Sequence, residues 1–206
     1  MALAFHPRES SGTGEQKPAR IAVFPGAWNP PTVAHVAIAE AGLRWADEVI
    51  WILPRAFPHK AFDGVGFEER LEMLRGVAAG SHRFSVAVAD GGLYVEIADE
   101  AREFFGPAVE IGLLCGRDAA ERIAAWDYGE PDVFDRMIER YPLLVAGRGG
   151  EYLPHAGHVD RVIPLPMGAS FDEVSSSEVR RRVEQGLEWR SLVPEAIADL
   201  VAAGYR

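Results

Sequence analysis

The sequence predicts an α/β protein: a doubly wound, mostly parallel sheet of five to six strands with helices on both faces. Two observations carry this. From residue 20 onward, short β-branched and aromatic runs alternate with segments whose apolar residues recur at helical spacing. The run "EVIWILP" (48–54) is almost unbroken in its apolarity, as expected of a central parallel strand covered on both faces.

The elements follow in order. "RIAVFPG" (20–26) ends at Pro-Gly, a strand leading into a turn. "TVAHVAIAEAGLRWA" (32–46) reads as a helix with Val33, Val36, Ala37 and Leu43 as inward positions. After the strand at 48–54, a polar loop precedes a helix in "FEERLEMLRGVAA" (67–79), where Phe67, Leu71 and Leu74 hold helical spacing. "RFSVAVAD" (83–90) is the third strand, "VEIADEAREFF" (95–105) the third helix, and "AVEIGLLCG" (108–116) a fourth strand closing on Gly116. Two helices, "RDAAERIAAW" (117–126) and "PDVFDRMIERY" (131–141), precede a fifth strand in "PLLVAG" (142–147) and a short sixth in "RVIPLP" (161–166). Residues 20–206 are expected to form a single domain that closes with C-terminal helices, and residues 1–19 a flexible polar lead-in. Ligands of such sheets bind beyond the carboxyl ends of the strands, where the strand order switches. Chemistry is therefore expected just after the first, second and fourth predicted strands.

Composition narrows the partners. A net charge of −10 argues against a surface that coats nucleic acid or an anionic membrane, while leaving room for a small anion held by local cations. No apolar run approaches the ~20 residues a bilayer span needs, and the first twenty residues lack the apolar centre of a secretory signal. Cys115 is the only cysteine, which excludes an intrachain disulfide and fits a reducing cytoplasm. Lysine occurs only at 17 and 60, so Lys60 is the one lysine beyond the lead-in.

Two stretches hold candidate chemistry. In "PGAWNPPTVAH" (25–35), Gly26 allows a tight turn, and the following helix start offers unpaired N–H groups and partial positive charge. His35 in the first turn is either an ordinary helix residue or a donor to a phosphoryl oxygen. The stretch is not a Walker A loop, since G-x-x-x-x-G-K-[ST] is absent. In "VSSSEVRRR" (174–182), Ser175 and Glu178 have capping-box spacing; the same geometry presents amides and hydroxyls to an anion, with Arg180 in reach. His155 and His158 in "HAGH" suggest a metal pair only weakly, with no cysteine nearby. Arg148 reads as a surface residue or as a cation folding over phosphates.

Taken together, "PGAWNPPTVAH" and "VSSSEVR" resemble the paired signatures of the nucleotidylyltransferase superfamily, G-[ST]-F-[DN]-P-x-[HT]-x-x-H and I-S-S-T-x-[IV]-R. Between them, "LPRAFPHKAF", "FEERLEMLRGVA" and "LLCGRDAAERIAAWDYGEPDVF" resemble segments of the nicotinate and nicotinamide mononucleotide adenylyltransferases, as does the ending "LVPEAIADLVAAGYR". The likeness runs in order from about residue 20 to the end. It implies a Rossmann-like nucleotidylyltransferase fold and adenylyl transfer from ATP to a pyridine mononucleotide, giving a dinucleotide and pyrophosphate.

The resemblance also assigns residues. His35, Thr32 and Arg180 would be catalytic. Gly26, Ala27, Trp28, His35, Gly116, Asp118, Ser175, Ser176 and Arg180 would bind ATP, with Mg²⁺ carried mainly on its phosphates. Lys60, Tyr94 and Trp126 would bind the mononucleotide, Lys60 at its phosphate and Trp126 stacked on the pyridine ring. Read without the resemblance, Asp118 is equally an N-cap and Trp126 a core or interface residue. Thr32 stands where many bacterial members have the first histidine, Ala27 where Ser or Thr is usual, and Ala34 where Gly is common. "GGLYVEIADE" keeps Tyr94 but not the Ser-Tyr-Thr pattern of nicotinate-specific members, so base preference stays open, as does homo-oligomerisation. The rival readings are a transferase for another phosphate acceptor, such as a cytidylyltransferase or a pantetheine-phosphate adenylyltransferase, and a nucleotide-binding sensor with weakened catalysis.

Overall fold

The computed structural model describes residues 3–6, 18–57, 64–147, 152–167, 171 and 173–205. Among these the sheet has seven strands: β1 Ala4–His6, β2 Arg20–Pro25, β3 Glu48–Pro54, β4 Phe84–Ala89, β5 Glu110–Gly116, β6 Leu143–Ala146 and β7 Val162–Leu165. The helices are α1 Val33–Gly42, α2 Phe67–Ala78, α3 Tyr94–Phe105, α4 Arg117–Ala124, α5 Val133–Arg140, α6 Ser176–Glu184 and α7 Ala198–Gly204. The strand order is β1-β4-β3-β2-β5-β6-β7, with every neighbouring pair parallel except β1 and β4.

The alternating faces explain the apolar runs. Ala22 and Phe24 of β2, with Val49, Trp51 and Leu53 of β3, enter one core with α1, α2 and α7. Ile21 and Val23, with Ile50 and Ile52, enter the other with α3, α4 and α5. A strand covered on both faces has no polar side to show. Each such aliphatic side chain contributes about 1.5–3 kcal/mol on burial.

Two expectations need correction. The predicted five to six strands become seven because Ala4–His6, placed in the flexible lead-in, pairs antiparallel with β4 and becomes the edge of the sheet, Ala4 opposite Val88. Three residues on a sheet edge carry too little alternation to be read from a polar segment. On α1 the buried residues are Ala34, Ile38, Ala39, Ala41 and Gly42, while Val33 and Ala37 are only half-buried. The helix lies so close to the sheet that a Cβ on Gly42 would stand 2.7 Å from a Leu114 methyl. Small residues therefore form its inner face.

What the topology does for function is local. β2 pairs with β3 on one side and β5 on the other, so the loops after β2 and β5 leave the switch point together. Residues 26–32 and Gly116–Asp118 are those loops and helix starts.

Candidate active site

The turn after β2 is held from within by its own indole. Gly26 N donates to Ile52 O at 3.1 Å, and Trp28 Nε1 donates to the same carbonyl at 2.7 Å. Trp28 has a φ of +52°, a conformation uncommon outside glycine, and is 3% exposed. Its ring packs edge-on to Phe24 at 4.8 Å, tilted on Trp51 at 4.8 Å, and edge-on to His35 at 5.3 Å. A Cβ on Gly26 would lie 2.7 Å from this ring. Gly26 is thus required by the protein's own indole, whatever passes over its backbone.

Thr32 and His35 form one unit at the start of α1. Thr32 is the N-cap, its Oγ1 accepting from His35 N at 3.4 Å. His35 Nδ1 accepts from Thr32 N at 3.0 Å and lies 2.9 Å from Thr32 Oγ1. With Nδ1 an acceptor, the neutral ring carries its proton on Nε2. Thr32 is 0% exposed, so the direct phosphate contact expected of it gives way to capping the helix and orienting His35.

The second motif meets the first. Ser175 caps α6, its Oγ accepting from Glu178 N at 3.1 Å, as expected. Glu178 does not close the capping box. Its carboxylate instead accepts from Arg181 and Arg182 at 2.6 Å each, and their hydrogen bonds lower its pKa to about 2. Ser176 Oγ donates to Pro30 O at 2.8 Å, and Arg180 Nη1 donates to Asn29 O at 2.5 Å. The start of α6 is therefore bonded to the loop after β2 across some 150 residues of chain.

Two further anchors of this loop escaped the sequence reading. Arg70 of α2, 6% exposed, donates to Ala27 O at 3.0 Å and to Gly66 O at 3.2 Å; burial pushes its pKa down. The Tyr205 hydroxyl donates to Asn29 Oδ1, and burial pushes the phenol pKa well up. A signal for Arg70 existed: it shares an inward stripe with Met73, Leu74 and Val77, an odd place for a cation. Tyr205 gave none, being one aromatic after a short terminal helix.

Beside the loop lies a cavity of about 370 Å³. Gly26 and Ala27 form one wall, with Pro54 and Phe57 beyond β3, Gly92, Leu93 and Tyr94 at the start of α3, and Arg122, Trp126 and Tyr128 along and after α4. Tyr94 and Trp126 thus share one cavity with the turn. The Tyr94 hydroxyl donates to Pro25 O at 3.3 Å and that of Tyr128 to Ile123 O at 3.0 Å. Burial raises both phenols, that of Tyr128 to about 12. Trp126 is half-buried and lines this space rather than the core.

The remaining candidates fall as follows. Gly116 is the N-cap of α4, and Asp118 is exposed in its first turn. Lys60 and Arg148 lie outside the described residues. His155 Nδ1 accepts from Gly157 N at 3.3 Å, and His158 Nε2 lies 2.8 Å from Asp135 Oδ1. Among the described residues no three His, Cys, Asp or Glu side chains converge as a metal site. Cys115 is buried and its thiol pKa is raised by that burial, so it reads as core. No helix among the described residues is long and apolar enough to cross a membrane.

Comparison with known proteins fits this geometry. The family model described as "Cytidylyltransferase-like" matches residues 23–182, which takes in both motifs and every strand from β3 to β7. The chain belongs to the cytidylyltransferase-like family. A "Probable nicotinate-nucleotide adenylyltransferase" of Salinibacter ruber is 32% identical over 189 residues, covering 86% of this chain and 92% of the relative. One of Rubrobacter xylanophilus is 29% identical over 198 residues, covering 88% and 89%. Among solved structures, a Plasmodium falciparum nicotinic acid mononucleotide adenylyltransferase complexed with NaAD aligns at a TM-score of 0.69. It shares 17% identity, with 89% of this chain and 95% of that one covered, and so shows the cytidylyltransferase-like fold.

Proposed function

We propose that the chain transfers the adenylyl group of ATP to a pyridine mononucleotide, giving a dinucleotide and pyrophosphate. The observation that carries the proposal is the hydrogen-bonded junction of the two motifs beside an aromatic cavity. A triphosphate acceptor site made of amides and cations, next to a cavity that takes a flat ring, is what this reaction needs.

The acceptor's phosphate oxygen attacks the α-phosphorus of ATP in line; the new O–P bond forms as the bond to the β-phosphate oxygen breaks. A phosphate monoester has a second pKa of about 6, so no general base is required near pH 7. The protein's part is alignment and charge neutralisation. His35 donates its Nε2–H to a phosphoryl oxygen as charge builds there. The N-terminus of α6 offers amides and its partial positive charge to the outer phosphates, with Arg180 adding a full charge. Because the Ser175 and Ser176 hydroxyls already serve the protein, the helix amides carry more of this contact than the side chains. Trp126 gives the pyridine ring a face to stack on.

The donor set fits a hydrated divalent ion that arrives on the nucleotide. In Asp118 an exposed carboxylate stands in the first turn of α4, an oxygen donor of the kind a hard cation takes. Mg²⁺ arriving on the nucleotide would neutralise phosphate charge, and Asp118 is the residue that would help hold it.

The test is pyrophosphate release by purified protein with ATP and Mg²⁺, offered nicotinate mononucleotide, nicotinamide mononucleotide and phosphopantetheine in turn. Turnover with a pyridine mononucleotide is expected. Turnover confined to phosphopantetheine, or none with any acceptor, overturns the proposal.

A further inference from the structure

Arg70 does not line the cavity, but it touches two residues that do, Ala27 and Phe57. Its Nη1 donates to Ala27 O at 3.0 Å in the loop after β2. Its guanidinium lies over the Phe57 ring, 5.5 Å from the centroid, in the segment after β3. A second ring, Phe67 in the first turn of α2, has its centroid 5.9 Å from the same guanidinium, and Nε donates to Gly66 O at 3.2 Å. At 6% exposure these contacts are little screened by water.

The segment that carries Phe57 is braced. Arg55 N donates to Ala89 O at 2.8 Å, and the Arg55 guanidinium lies over Phe67 at 4.9 Å. Phe57 itself packs against the core that α1 and α2 form with the sheet. A ligand resting on Phe57 therefore meets a ring with little freedom to yield, and the guanidinium over that ring is held with it. Arginine suits this place by its shape. Its plane can lie over aromatic rings while its edge donates to carbonyls, whereas lysine has the charge but neither the face nor the fork. The rings limit the tilt of the plane, and the bond to Ala27 O requires its edge to point at the loop. Because a peptide unit is rigid, holding Ala27 O also holds the Ala27–Trp28 backbone.

Resting on the adenylyl-transfer reading, we propose that Arg70 is a positioning residue that couples the two substrate sites. An acceptor seated against Phe57 and a nucleotide lying along Gly26 and Ala27 each favour the same placement of this one guanidinium. The first ligand to bind orders that placement, and the second then has less to order. Each substrate therefore binds more tightly once the other is present, and by linkage the gain is the same in both directions. Such coupling suits a reaction of two anionic partners, because a lone nucleotide is held loosely until the group that must attack it is in place. Arg70 does this without touching either substrate.

The experiment measures, by calorimetry with Mg²⁺, the Kd of an ATP analogue with a methylene bridge between its α- and β-phosphates, which cannot react. Each titration is run without acceptor and at saturating nicotinate or nicotinamide mononucleotide, in the native protein, Arg70→Lys and Phe57→Leu. The ratio of the two Kd values is the readout, taken with whichever mononucleotide gives the larger one. A native ratio of at least about 5-fold is expected, falling toward one in both variants. Phe57→Leu leaves Arg70 and its bond to Ala27 O in place, so the analogue alone should bind it as it binds the native protein. A merely structural Arg70 would weaken both ligands and leave the ratio as it was. A native ratio near one, or a ratio kept by either variant, overturns the proposal; should Arg70→Lys fail to fold, Phe57→Leu decides. Pyrophosphate release with ATP separates the two levels. Native turnover of a pyridine mononucleotide with a ratio near one sinks the coupling alone, and a high ratio without turnover sinks the adenylyl-transfer reading alone. If neither mononucleotide binds, the ratio is one and both fail.

Discussion

Replacing Gly26 by Ala separates two reasons for a glycine at the head of a nucleotide loop. The new methyl would stand 2.7, 2.8 and 2.9 Å from three atoms of the Trp28 indole, against an ordinary carbon–carbon contact of about 3.5–4.0 Å. The ring would have to retreat by most of an ångström. It has nowhere to go: Nε1 is bonded to Ile52 O at 2.7 Å, and Phe24, Trp51 and His35 close around it at 4.8, 4.8 and 5.3 Å. Forcing one methyl into such packing costs about 1–3 kcal/mol. For a chain of this length that lowers Tm by about 2–12 °C. Turnover should fall as well, because the displaced ring rests on His35. Calorimetry and pyrophosphate release are the assays, and the double variant Gly26→Ala with Trp28→Phe is the control. The smaller ring makes room, so the double variant should be more stable than the sum of the single effects by about 1 kcal/mol or more. If Gly26→Ala melts at the native temperature and loses only ATP affinity, or if Trp28→Phe gives no relief, the glycine serves the ligand and the packing argument is wrong.

His35→Ala should cut kcat about 10²- to 10³-fold, the usual loss for one transition-state donor, with native circular dichroism; an unchanged rate would remove His35 from the mechanism. Thr32→Val should lose less activity but about 1 kcal/mol of stability, since it removes a cap. Tyr205→Phe leaves Asn29 Oδ1 without its buried donor and should cost about 1–2 kcal/mol in urea denaturation, with kcat lowered and the KM for ATP raised together. Cys115, Tyr205 and the half-buried Tyr94 and Tyr128 all have acid pKa values raised by folding. Their stabilisation is complete below the ordinary values of 9.0 for cysteine and 10.0 for tyrosine, and declines as pH rises past these. The urea midpoint should therefore hold to pH 9 and fall beyond it, and a thiol reagent at pH 8 should label Cys115 only after unfolding. A midpoint that rises between pH 9 and 11 would contradict this assignment.

What could be read from the sequence followed the length scale of the physics. The parallel sheet was legible because each central strand is buried on both faces and writes its burial into consecutive residues such as Val49 to Leu53. Ser175 was legible as a cap because a helix start is a local event. Arg180 was legible as a cation at that start, but its bond to Asn29 O joins residues 151 apart, and no spacing rule reaches so far. The same holds for Tyr205 and Asn29, separated by 176 residues. Thr32 shows the opposite limit: its partner is three residues away, yet the choice between phosphate and His35 depends on burial, which only the packed α1 determines.

These long bonds have a consequence for how the loop 26–32 meets a triphosphate. Its carbonyls at Ala27, Asn29 and Pro30 are taken by Arg70, Arg180 and Ser176, from α2 and α6. Carbonyl oxygens facing a polyphosphate would repel it, and each one tied back by a donor is turned from that role. The donors that hold the loop thus make the surface left to the ligand more positive before any ligand arrives. A site ordered in advance loses little entropy on binding and needs little reorganisation as charge moves during the reaction. In the proposed reaction Arg180 serves both ends: its guanidinium fixes the loop through Nη1 and would bring its full charge to the phosphates. Arg180→Lys keeps the charge and loses the fork, so it should bind ATP better than Arg180→Met yet fail to restore the stability that both lose. Equal recovery of both properties by lysine would mean that the charge alone matters and that the bond to Asn29 O is incidental.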